Sequence, residues 1–110
     1  MSARDLAGGD IRMVELPPPD KPRPVLVLTR TKVVPYLNAV TVAPITRTIR
    51  GTPAELVVGV EEGLKAPCAV NLDGIQTVPK ARIGRYLGAL PARRVPELRD
   101  ALLFAFALLP

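Results

Sequence analysis

The sequence predicts a mainly β domain with a C-terminal helix, folded as a small, strongly bent barrel. Three observations carry this. Short apolar, β-rich segments recur along the chain. The 13 prolines are spread between them and keep each strand short. Only the tail changes from the alternation of a strand to the spacing of a helix. A length of 110 residues fits one domain with one hydrophobic core, so residues 1–110 are read as a single unit with 1–8 as a flexible leader.

Taken in order, "IRMVEL" (Ile11 to Leu16) alternates apolar and charged positions and reads as a half-buried strand. "PPPD" breaks it. "PVLVLT" (Pro24 to Thr29) is continuously apolar, which suits a central strand with its proline at the first position. Residues 30–38 read as a loop, "AVTVAP" (Ala39 to Pro44) as a third strand, and "TRTIRGTP" as a basic loop. "AELVVG" (Ala54 to Gly59) is a fourth strand and "EEGLKAP" a turn. "CAVNLD" (Cys68 to Asp73) and "IQTVP" (Ile75 to Pro79) are short strands kinked at Gly74. "KARIG" suits one helical turn and "RYLGAL" (Arg85 to Leu90) a last strand. A helix is expected from about Pro96 to Leu109, with Leu98, Leu102, Ala105 and Leu109 on one stripe. From Ala101 onward it is apolar all round, so a second subunit is expected to cover part of it, with Phe104 and Phe106 in the core.

Charge is distributed unevenly. Lys and Arg number 15 against 10 Asp and Glu, a formal charge of +5. From Lys21 to Ala54 stand Lys21, Arg23, Arg30, Lys32, Arg47 and Arg50 with no acidic residue. From Gly74 to Pro96 stand Lys80, Arg82, Arg85, Arg93 and Arg94, again with none. Should these stretches meet in space, they make a positive face suited to a polyanion, nucleic acid above all.

Residue types exclude much catalytic chemistry. There is no His, so Ser-His-Asp and Cys-His sets are impossible, and no zinc site or other metal is expected. Cys68 is alone and cannot form an internal disulfide. Ser2 is the only serine. Glu61–Glu62 lie in a turn and Asp73 stands apart, which argues against a glycosidase pair. Gly8–Gly9 precede a strand, and no phosphate-binding loop is present. No cofactor is expected. "ALLFAFALL" is too short to span a bilayer, and the chain reads as soluble and cytoplasmic with no membrane partner. Arg, Lys, Thr and backbone amides remain. A guanidinium can hold two phosphate oxygens and offset charge in a transition state. In RNA the neighbouring 2′-hydroxyl is itself the nucleophile. Tyr36, in a basic loop, is a candidate for stacking on a base.

The segments "GDIRMVEL", "KPRPVLVLT", "VTVAPITRTIRG" and "GLKAPCAVNLDGIQTVPKARIGRYLGAL", followed by a terminal helix, together resemble the MazF/PemK-type toxins of bacterial toxin–antitoxin pairs. The likeness runs from about Gly9 to Leu109. It implies an SH3-like barrel (CcdB/PemK-like), a homodimer, and an endoribonuclease cutting single-stranded RNA without metal. The implied products are a 2′,3′-cyclic phosphate and a 5′-hydroxyl, the implied outcome growth arrest, and the implied partner a cognate antitoxin protein. Arg23 falls on the arginine of the "RP" motif and Thr46 on the threonine of the "IT" motif, the family's catalytic positions. Lys21, Arg30, Tyr36, Arg47, Arg50, Gln76, Thr77, Lys80 and Arg82 are expected to contact RNA. The sequence departs from the family in its first loop, "PPPDKP", and at Gly74 and Gln76. The alternative is a toxin of the same fold that binds and poisons DNA gyrase and cuts nothing. An SH3-like interaction module without activity is a third reading.

Overall fold

The structure is a computed structural model and describes residues 5–16 and 18–107. Among these run seven strands and one helix: β1 (Asp10–Val14), β2 (Arg23–Val27), β3 (Ala39–Thr46), β4 (Glu55–Val58), β5 (Cys68–Asn71), β6 (Gln76–Pro79), β7 (Ile83–Ala89) and α1 (Val95–Phe106). The strands pair antiparallel in the order β4-β5-β3-β2-β1-β7, with β6 also on β3. This is the mainly β fold with a C-terminal helix that the sequence predicts.

β3 is the hub. Along one edge it pairs with β2, from Val25↔Pro44 to Val27↔Val42. Along the other it pairs first with β6, from Ala39↔Pro79 to Val42↔Gln76, and then with β5 at Ile45↔Val70 and Thr46↔Ala69. The third strand therefore extends past Pro44, where a loop was expected. Pro44 sits where β3 changes partner, so its missing N–H falls at a gap in the pairing. Gly74 packs over that ring, and a Cβ there would lie 3.0 Å from Pro44 Cγ. This gives the departure at Gly74 a steric reason. The expected kink there is a 3-10 turn, Leu72–Gly74, capped by Asn71 Oδ1 accepting from the Asp73 N–H (3.0 Å).

Alternation sends the strands into two apolar clusters. Ile11, Leu26, Ala43, Ile45 and Val70 belong to one, and Val14, Val25, Val27, Val40, Val42 and Val78 to the other. β2 lies between them, which is why "VLV" is apolar at every position and not at every second one. Each such side chain contributes about 1.5–3 kcal/mol when fully buried. α1 covers the first cluster with Leu98, Ala101, Leu102 and Ala105, a spacing of three and four residues that makes one helical face. Leu109, expected on that stripe, lies outside the described residues. Phe104 and Phe106 are not in the core as expected; each is 56% exposed. The short helix directs its apolar face at one cluster, and no second layer stands behind it.

The sheet is bridged between its open edges by a 3-10 turn, Val60–Glu62, which presses on β7. Gly63 and Gly88 make the contact: a Cβ on Gly63 would collide with the Leu87 carbonyl, and one on Gly88 with that of Glu62. Gly63 also has φ +96, a conformation that favours glycine. Residues 30–38, expected as a loop, hold a 3-10 turn at Thr31–Tyr36. "KARIG" forms one at Lys80–Arg82. Of the leader expected at 1–8, residues 5–8 are tied to the barrel: the Gly8 N–H donates to Thr31 Oγ1 (2.9 Å), and the Asp5 carbonyl accepts from Arg12 (3.2 Å). No helix among the described residues is long and apolar enough to cross a membrane.

Candidate nucleic-acid interface

The two acid-free stretches meet in space. β3 and β6, one from each, pair along four residue positions. The cations do not all join that surface, because carboxylates claim some of them. Arg93 pairs with Glu61, and Arg94 pairs with Glu62 (3.3 Å) and Glu97 (3.0 Å). Those two arginines, expected in the positive face, are neutralised and fasten α1 to the 60–62 turn. Among the described residues, Lys21, Arg23, Arg30, Arg47, Arg50, Arg82 and Arg85 have no carboxylate within ion-pair distance.

Arg23 begins β2 and is exposed. Its Cα partner on β1 is Val14. On the other side the β2–β3 ladder ends at Val25↔Pro44. Continued two residues further each way, beyond the last paired residues, that register would set Arg23 across from Thr46. The period of two then puts both side chains on one face, beyond the valine cluster. Thr46 is partly buried, and its Oγ1 accepts from the Thr48 N–H (3.2 Å). A hydroxyl has one proton to donate and two lone pairs. Occupying a lone pair from within the loop leaves the O–H donor for a ligand. Gln76, opposite Val42, emerges further along this face and is exposed.

The other expected contact residues divide. Arg47 follows Thr46 directly. Lys21 precedes β2 and is exposed. Arg50 is exposed in the next loop, whose shape Glu55 fixes by accepting from the backbone N–H of Arg50 and Gly51 (3.0 and 2.8 Å). The Arg82 carbonyl accepts from the Glu15 N–H (3.0 Å), which sets the 80–82 turn beside the end of β1. Arg30, Tyr36 and Lys80 lie toward the opposite end of β3, where Ala39 pairs with Pro79. That end is seven residues from Thr46, up to ~23 Å along the strand. Lys80 is occupied: its Nζ donates to the Val34 carbonyl (2.9 Å) and holds the 31–36 turn. Tyr36 is 86% exposed. Thr77 pairs with Thr41 and is exposed, on the face opposite Gln76.

Sequence reasoning missed two groups. Arg12 is only 4% exposed and pairs with Asp10 (3.0 Å), itself buried. Its guanidinium also donates to the Gly84 carbonyl (3.3 Å) and lies 5.6 Å from the centre of the Tyr86 ring. The "GDIR" segment thus encodes an internal lock between β1 and β7. The alternation of "IRMVEL" had placed this arginine outside. The second group is a recess of about 370 Å³ lined by Met13, Pro24, Ile45, Arg47, Leu64, Lys65, Arg85 and Leu87 among others. Lys65 and Arg85 were not among the expected contact residues. Among the described residues, no group of three or more His, Cys, Asp or Glu side chains is placed to hold a metal ion.

Residues 7–106 match the model of the PemK-like, MazF-like toxins of type II toxin–antitoxin systems. The chain is 45% identical over 98 residues to endoribonuclease MazF3 of Mycobacterium tuberculosis, covering 89% of this chain and 95% of that protein. It is 41% identical over 85 residues to the probable endoribonuclease MazF2 of the same organism, covering 76% and 83%. Among solved structures, the Mycobacterium tuberculosis toxin MazF-mt6 superposes with a TM-score of 0.85 at 44% identity, covering 92% of this chain and 99% of that one. A mycobacterial endoribonuclease in complex with its cognate antitoxin shares the fold, with a TM-score of 0.83 at 23% identity over 96% and 99% of the two chains. The family match over nearly the whole described chain, with relatives above 40% identity, places this protein in the PemK-like, MazF-like toxin family of type II toxin–antitoxin systems.

Proposed function

We propose that this MazF-type endoribonuclease cuts single-stranded RNA without a metal, at a linkage held by Arg23 and Thr46. The observation that carries the proposal is the exposed Arg23 guanidinium, which has no carboxylate among the described residues to compete with a phosphate. In the reaction the 2′-oxygen bonds to phosphorus and the bond from phosphorus to the 5′-oxygen breaks. The 2′-hydroxyl loses a proton and the departing 5′-oxygen gains one. The products are a 2′,3′-cyclic phosphate and a 5′-hydroxyl, and no oxidant or co-reactant is consumed. Negative charge builds on the equatorial phosphate oxygens. Arg23 supplies two donors in a fixed fork to meet it, and the Thr46 hydroxyl supplies a third. The strand start fixes where this side chain leaves the backbone, and the exposed guanidinium orders as it meets the phosphate.

Purified protein incubated with total RNA in EDTA should cut, and the fragments should accept phosphate at their 5′ ends from a polynucleotide kinase. Arg23→Ala should lower the cleavage rate at least about a hundredfold, since the loss of even one transition-state donor costs that much. Equal cutting by both proteins overturns the assignment. The uncut RNA of a gyrase-binding toxin is the opposing outcome; the observation on that side is the exposed pair Phe104 and Phe106 on α1. We also infer a cognate antitoxin as partner, a homodimer as the working state, and growth arrest as the result of RNA cleavage.

A further inference from the structure

We propose that the recess bounded by Arg47, Lys65 and Arg85 seats one nucleotide of the RNA strand, across the rim from the linkage held at Arg23 and Thr46. The inference rests on the endoribonuclease reading and adds a subsite to it. The recess lies over the row Met13, Pro24 and Ile45, one residue from each of β1, β2 and β3. Leu64 and Leu87 complete its apolar floor. Pro24 directly follows Arg23, and Arg47 directly follows Thr46. The recess and the scissile linkage therefore occupy the two faces of one rim, formed by the start of β2 and the end of β3.

Three observations favour a nucleotide. Among the described residues, no carboxylate lines the recess. Its three cations are exposed and none is paired with an acid among the described residues, although Arg93, Arg94 and Arg99 elsewhere on the surface all are. Three cations lining one concavity raise the local positive potential and favour an anion there. The volume, about 370 Å³, is at the small end of ligand pockets and suits one base and its phosphate rather than a long segment. Apolar side chains below and guanidinium planes at the edge are the surfaces on which an unstacked base packs.

The probe is a fluorescent single-stranded DNA decamer, which lacks the 2′-hydroxyl and so binds without being cut. Its affinity is measured against salt for the wild type, for Lys65→Ala/Arg85→Ala, and for Lys32→Ala/Arg99→Ala, a control with the same change in formal charge outside the recess. The recess variant should bind at least tenfold more weakly than the control. Its plot of log affinity against log salt should be shallower by about 0.7, the contribution of the one phosphate seated there on a single strand. In the wild type, the Met13 and Leu64 methyl resonances should shift on adding the decamer. Equal affinity of the two double variants, or unmoved methyl resonances, overturns the inference. Binding does not depend on cleavage, so a wild type that binds in the recess yet leaves RNA intact in EDTA refutes the nuclease reading alone.

Discussion

Arg12 and Arg23 stand on neighbouring strands of one small sheet, and burial separates their roles. Arg12 is enclosed, paired with Asp10 and stacked against Tyr86. Removing one partner of such a pair leaves the other charged and desolvated, at a cost of about 3–5 kcal/mol. Asp10→Ala should therefore lower the urea midpoint sharply, while Arg23→Ala should leave it nearly unchanged. A small effect of Asp10→Ala would show that Arg12 reaches solvent. The motif residues Arg23 and Thr46 were legible in the sequence because their order and neighbours are distinctive. Arg12 was not, because the β1–β7 pairing that encloses it joins segments some 70 residues apart, at Arg12↔Tyr86. For Thr46 the hydroxyl is the functional part. Thr46→Val keeps the shape and should lose cleavage by about a hundredfold, whereas Thr46→Ser should stay close to wild type in a single-turnover assay. Equal loss in both would assign the residue to packing.

At the level of elements, the strands were legible and their joins less so. "PVLVLT" and "AELVVG" announce strands by composition. β3 ran past its proline because it changes partner there, a fact that lives in the pairing and not in the segment. The contact of the 60–62 turn on β7 was likewise hidden, and two glycines test it. Gly9 and Gly63 both have positive φ, but an added Cβ meets nothing at Gly9 and the Leu87 backbone at Gly63. Gly9→Ala should cost only the left-handed penalty, about 1–2 kcal/mol. Gly63→Ala should cost about 1–3 kcal/mol more through overpacking, read as the difference in unfolding free energy. Equal losses would mean that the turn yields freely. α1 starts at another join. The hydrogen bond from Arg94 holds the Glu97 carboxyl below its ordinary value of 4.5. A depressed carboxyl contributes stability above its unfolded value and loses it as pH falls through the folded one. Melting temperatures measured downward from pH 5 should fall slightly more in the wild type than in Glu97→Gln. The effect is small because water screens an exposed pair.

Across the whole molecule, charge and apolar surface are segregated. Arg93 and Arg94 pair with acids where α1 meets the 60–62 turn, and the cations with no carboxylate in reach among the described residues lie along the strands and the loops that join them. The sequence foreshadowed this in its acid-free stretches, but only the fold shows that Arg93 and Arg94 leave the positive face to bind Glu61, Glu62 and Glu97. The uncovered apolar groups lie elsewhere. Val57 on the open edge of β4 is 46% exposed and Phe104 on α1 is 56% exposed. Both line a groove of about 930 Å³ that also holds Leu103 and Ala107. An apolar groove beside an unpaired strand edge is unfavourable in water and promotes association. Glu55, Glu97 and Asp100 also line the groove, and Arg94 there is already paired with Glu62 and Glu97, so the apolar side chains are what a second copy related by a two-fold axis would cover. A stable contact of this kind buries about 800 Å² on each partner. Sedimentation equilibrium at micromolar concentration should then report a dimer for the wild type. Phe104→Asp should shift it toward monomer without changing the far-ultraviolet circular dichroism. Phe106→Asp, on the separate apolar recess with Leu28 and Leu37, should leave the dimer intact. A dimer that survives Phe104→Asp and is lost in Phe106→Asp would move the contact to that second recess.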